Sequence, residues 1–258
     1  MIGRISGVLL LSLPPCFASC AYAALPDEIQ VYDDEIGAAG ERTLELHANT
    51  TLAGTAIASY PGERVAAHAF RLTPEFAWGL GNDLEAGIYV PTVWDSGHLV
   101  DLAGLRGRLK WLPVHARDGE TGGFAGLNVE LSRVAYRYEA VRAFSEVRII
   151  GGWRGGSWLL ALNPVLGWGF TQGNGGAPDL SLVAKATHDV AGPLRAGVEY
   201  YADYGRVGQF LPYSERPRTA YGIVEIEMSG GSSLSLGVGR GWGTADRWTL
   251  KSLLSRGF

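Results

Sequence analysis

Apolar and polar residues take turns along most of this chain. Phe70, Leu72, Phe76, Trp78 and Leu80 share one parity, while Arg71, Thr73, Glu75 and Ala77 interleave with them on the other. Successive side chains leave a pleated strand on opposite sides, so a period of two marks a strand with one greasy and one polar face. The same reading sets Leu44 and Leu46 against Glu45, His47 and Asn49, and Leu84, Ala86, Ile88 and Val90 against Glu85, Gly87 and Tyr89. Leu105, Leu109 and Trp111 oppose Arg106, Arg108 and Lys110; Ala125, Leu127, Val129 and Leu131 oppose Asn128, Glu130 and Ser132. Further strands are predicted over 146–153, 157–170, 180–188, 194–204, 219–228, 233–240 and 247–258. With these the total reaches about twelve, each near the length that crosses a bilayer when tilted.

The connections sort by length. Those over 53–64, 95–103, 135–144, 171–179 and 206–216 are long, and those at Gly81-Asn82-Asp83, Gly155-Gly156, Ala191-Gly192-Pro193 and Gly230-Gly231-Ser232 are tight and rich in turn residues. Only 115–122 breaks the order. Short periplasmic turns alternating with longer external loops characterise outer-membrane barrels, and an even strand count returns both ends to one side. The predicted fold is therefore all-β, an antiparallel transmembrane β-barrel. A soluble sandwich or lipocalin-like barrel also alternates, but it would bury the apolar parity and need not alternate its loops. Pro74, Pro91, Pro113 and Pro164 fall inside predicted strands, where each removes a ladder donor, and bulges are the expected accommodation.

The ends of the chain bear on destination. Arg4 is the only charge before Asp27, and it precedes an apolar stretch and the small-residue site Ala21-Tyr22-Ala23. Residues 1–23 therefore read as a signal peptide cleaved after Ala23. Both cysteines, Cys16 and Cys20, lie in that leader, so disulfides, thiol catalysis and cysteine-held metals are not expected in the mature chain. An acidic segment, 24–40, follows, with Asp27, Glu28, Asp33, Asp34 and Glu35; it is expected as a solvated periplasmic stretch or a small plug docked in the lumen. The barrel is expected over 41–258. It ends on a bare aromatic, Phe258, in parity with Trp248, Leu250 and Leu254, which suits a lipid-facing terminal strand and an assembly signal.

The segment Ile29-Gln30-Val31-Tyr32-Asp33-Asp34-Glu35-Ile36, the strands Leu44-Glu45-Leu46-His47 and Arg71-Leu72-Thr73-Pro74-Glu75, and the terminal Phe258 together resemble proteobacterial outer-membrane barrels. These are similar to the porin-like proteins of the phenol-degradation MetA-pathway family. The resemblance spans the mature chain and implies a barrel with a transport role, without carrying over any catalytic or binding residue. Arg256 departs from the apolar or tyrosine residue that many terminal assembly signals hold there.

If the apolar parity faces lipid, the other parity lines the lumen. The candidates are Glu45, His47, Arg71, Glu75, Glu85, Arg106, Arg108, Lys110, Glu130, Arg148 and Glu199. The row Arg106, Arg108, Lys110 would draw anions into a water path, unless Glu85 and Glu130 on flanking strands neutralise it. A net charge of −4 with no basic aromatic patch argues against nucleic acid. The five histidines show no nucleophile–base or metal-helix spacing, so no catalytic residue, metal or cofactor is expected. The expected partners are outer-membrane lipid, the barrel-assembly machinery and a small solute. The expected function is a porin-like channel or transporter in a Gram-negative outer membrane, against two alternatives: an outer-membrane enzyme acting on lipid or peptide, and a closed structural barrel.

Overall fold

The computed structural model describes residues 28–94, 100–115, 121–171 and 176–258. The leader expected at 1–23 lies outside them. The strand segments are β1 (Arg42–Ala53), β2 (Phe70–Gly81), β3 (Leu84–Tyr89), β4 (Thr92–Trp94), β5 (Asp101–Leu102), β6 (Gly104–Val114) and β7 (Gly122–Val134). They continue with β8 (Ala143–Gly155), β9 (Trp158–Gly169), β10 (Asp179–Ala191), β11 (Leu194–Arg206), β12 (Arg218–Met228), β13 (Ser232–Trp242) and β14 (Trp248–Gly257). β3 and β4 run end to end along β2, and β5 and β6 follow as the next stave, so the segments make a twelve-stave antiparallel barrel.

Closure is made by β1, which pairs with β2 on one side and β14 on the other. Every stave thus has two neighbours, and no edge is left to satisfy. At the seam Phe258 donates its N–H to the Arg42 carbonyl at 2.9 Å, and Arg42 returns one to Phe258 at 3.3 Å. One two-residue turn, between β2 and β3, holds Gly81, Asn82 and Asp83 at φ of 81°, 53° and 59°. Glycine, asparagine and aspartate are the residues that tolerate this left-handed region, and it matches the twist of the strands it joins.

The prolines behave differently from the expectation of bulges. Pro74 and Pro164 sit in unshifted register, opposite Leu46 and Leu182. A residue's N–H and C=O point to the same neighbour, and the Pro74 carbonyl accepts from Val90 at the break between β3 and β4. The missing donor therefore faces a place where the ladder already lapses. Pro91 occupies that break, and only Pro113 lies at a register shift, between Trp111 and Val114.

Burial separates the two barrel types. Glu75 and Glu130 are 1% exposed, whereas Leu131 is 63% and Leu109 47% exposed. These charged side chains are inside, and Leu109 and Leu131 are outside. A soluble barrel inverts that order, so the outer face is built for hydrocarbon.

Candidate channel lumen

Because one parity of every stave points inward, the lumen collects polar side chains from distant parts of the chain. β1 contributes Glu45, His47, Asn49 and Thr51; β2 contributes Arg71, Thr73 and Glu75; β3 contributes Glu85. Arg106, Arg108 and Lys110 come from β6, Glu130 from β7, Arg148 from β8 and Glu199 from β11. All of these except Glu45 and Lys110 are classed as buried, and those two are partly so.

The cationic row does not stand free. Arg108 reaches Glu75 at 2.5 Å and Glu85 at 2.7 Å, and Lys110 reaches Glu85 at 2.9 Å. Arg106 lies 4.0 Å from Glu130. Each cation faces a carboxylate within the wall, so the row's field toward the lumen is largely cancelled. Arg71 instead donates to Asn49 Oδ1 at 3.2 Å. Glu199 is paired with Lys251, which also donates to the Ile29 carbonyl at 2.9 Å.

That last contact belongs to the segment before β1, which runs inside the barrel. Asn163 clamps it by accepting from the Tyr32 N–H at 2.7 Å and donating to the Tyr32 carbonyl at 2.9 Å. Arg148 donates to the Gln30 carbonyl at 3.1 Å and stacks over the Tyr32 ring at 4.6 Å. The Tyr32 hydroxyl lies 2.7 Å from that of Tyr89 and 3.3 Å from Glu130. Lower down, Arg154 holds Asp34 through two bonds of 2.5 Å, Lys185 holds Asp33 at 3.0 Å, and the Gly37 N–H donates to Glu85 at 2.7 Å. The neighbouring Asp33 carboxylate raises Glu35 above the usual carboxylate range.

An apolar patch completes the seat. Val31 and Tyr32 pack against Leu112, Phe124, Ile150, Leu159, Val165 and Val183, all buried. These inward hydrophobics interrupt the charged lining and were not expected from alternation. The inward parity of 124, 150 and 159 was the available signal, but apolar residues on both parities read locally like a soluble core strand.

Two recesses lie among the described residues, the second of them beside the segment. One holds about 470 Å³ of empty space toward the external end, lined by Glu139, Val141, Phe144, Glu146, Trp168 and Asp179. Burial pushes the Glu139 carboxyl up to about 7. The other, about 600 Å³, is lined by Asp33, Glu35, Lys185, Arg195, Glu225 and Lys251 among others.

No protein-family model matches the chain, and no curated protein does. Among solved structures, it is similar to the COG4313 outer membrane channel from Pseudomonas putida F1, at 12% identity and a TM-score of 0.60, over 90% of this chain and 100% of that one. The two share a fold. Outer membrane phospholipase A from Escherichia coli also matches, at 14% identity and a TM-score of 0.48, over 87% of this chain and 96% of that one. The DcaP channel of Acinetobacter baumannii matches at 10% identity and a TM-score of 0.39, over 88% and 100%. At 12% identity the likeness to the solved outer membrane channel is one of fold.

Proposed function

We propose that this chain is a porin-like channel or transporter for small solutes in the outer membrane of a Gram-negative bacterium, with residues 28–40 as a plug that narrows its lumen. The observation that carries this is a closed barrel with its ionic face inward and a polypeptide segment seated there by polar bonds at Asp33, Asp34 and Gly37 beside an apolar patch at Val31 and Tyr32. Such bonds exchange readily with water and solutes, unlike a packed core. Asn128 Oδ1, Ser132 Oγ and Thr187 Oγ1 are buried and find no protein partner among the described residues, so a hydrated lumen would satisfy them. The fold shared with a known outer-membrane channel adds support.

A closed structural barrel is the second reading, favoured by the ion pairs that Arg108, Lys110 and Lys251 make across the wall. Planar-bilayer recording on refolded protein separates the two. Wild type should conduct weakly, and the Arg154→Ala, Lys185→Ala double variant, which releases Asp34 and Asp33, should conduct at least several-fold more. Silence from both, with folding verified by gel mobility without heating, rejects the channel.

A further inference from the structure

Glu45 and His47 stand two positions apart on β1, so both side chains leave the strand toward the lumen. The β1–β2 register sets Glu75 directly opposite Glu45. Two carboxylates facing each other across a ladder repel, and something cationic is needed between them. His47 occupies that place: its Nε2 lies 3.2 Å from Glu75 Oε2 and 3.6 Å from Glu45 Oε2. One donor atom from each residue falls within 4.8 Å of the other two. Around zinc, with bonds of about 2.0–2.2 Å, the edges of a ligand tetrahedron measure about 3.3–3.6 Å. Two edges of this triangle are already close to that length.

The far oxygens of both carboxylates are held from behind. Arg108 donates to Glu75 Oε1 at 2.6 Å, and the Ser255 hydroxyl donates to Glu45 Oε1 at 3.3 Å. Outer contacts of this kind orient ligands and keep the inner oxygens aimed at a common point. His47 and Glu75 are 3% and 1% exposed, whereas Glu45, at 17%, keeps the cluster in touch with the lumen.

We propose that Glu45, His47 and Glu75 form a site for a divalent first-row transition metal ion in the lumen wall, with zinc as the simplest occupant. On binding, the metal takes the place of the proton that His47 shares with the carboxylates, and the neutral imidazole and two carboxylates then present two negative charges to a dication. The imidazole selects against magnesium and calcium, which prefer all-oxygen shells. Three protein ligands leave a fourth position open, on the side where Glu45 meets the lumen. The site joins β1 to β2, one strand from the seam with β14. It depends only on the wall and not on whether the barrel conducts.

The test is calorimetric titration of zinc chloride into the metal-stripped, refolded full-length barrel, with the visible spectrum of bound cobalt(II) as a second readout of coordination. Wild type should bind one equivalent, and His47→Gln and Glu45→Gln should each weaken binding at least about tenfold, the scale at which even outer contacts matter. His115→Gln is the control, since His115 pairs with Asp83 at an exposed turn rather than with this cluster; it should leave the stoichiometric site unchanged. Folding of each variant is verified by gel mobility without heating. The proposal falls if folded wild type binds no equivalent, or if either ligand variant binds as tightly as wild type.

Discussion

What a side chain meets in this barrel depends on parity alone, and neighbours on one strand meet opposite solvents. Leu109, 47% exposed at the middle of β6, faces hydrocarbon, while Arg108 and Lys110 beside it are locked to Glu75 and Glu85. Leu109→Arg should therefore cost roughly 2–4 kcal/mol, the range for a cation at the bilayer midplane, measured by urea unfolding in lipid vesicles. A cost near zero would place Leu109 off the lipid face. Glu139, in the loop after β7, is a different case: burial raises its carboxyl to about 7, so the fold favours its protonated form. A raised acid pKa gives stability that is complete below the unfolded value near 4.5 and is lost as pH climbs toward 7. Glu139→Gln copies the protonated group and cannot ionise. Its stability relative to wild type should rise between pH 5 and 8, read as the difference in unfolding midpoint, and a pH-independent difference would show that Glu139 titrates normally.

A strand here is stable only as part of a closed ladder, which gives the last one special weight. β14 pairs with β13 on one side and with β1 on the other, and Phe258 adds the final two backbone bonds to Arg42 while its ring is 69% exposed. Deleting Phe258 should lower the yield of membrane-inserted, heat-modifiable barrel several-fold. His188→Ala removes only an edge-on contact with Trp158, at 4.6 Å between ring centres, and should leave that yield nearly intact. Equal yields from the two would deny the terminal residue any part in assembly. The interrupted staves follow the same logic. Pro91 splits one stave into β3 and β4, yet the barrel tolerates it because β2 spans the break by pairing with both pieces.

Taken whole, the molecule is a cylinder that carries its own filling. The segment from Glu28 to Gly37 is held by β3 and by β7, β8, β9, β10 and β14, staves spread around the circumference. Its removal would expose the apolar patch of Leu112, Phe124 and Ile150 to water. The plug is therefore tied to the wall by packing as well as by charge. A weakened clamp at Arg154 and Lys185 is expected to shift the segment without emptying the barrel, which is why the conductance of that variant is informative.

Fold class and strand count were legible along the chain because both rest on local signals: a period of two, loop lengths that alternate, and turn residues such as Gly81-Asn82-Asp83. Alternation also separates Leu109 from Arg108 with no knowledge of their neighbours. Partnership is another matter. That Arg108 bridges Glu75 and Glu85, that Glu75 stands opposite Glu45 beside His47, and that Asp34 meets Arg154 across 120 positions are consequences of register and closure. A two-residue slip of β1 against β2 keeps every side chain on its own face and still dissolves the Glu45–His47–Glu75 cluster. The acidic run from Asp33 to Glu35 reads alike in solvent and in a lumen; only the closed wall, with Arg154 and Lys185 facing inward, supplies the opposite charges that seat it.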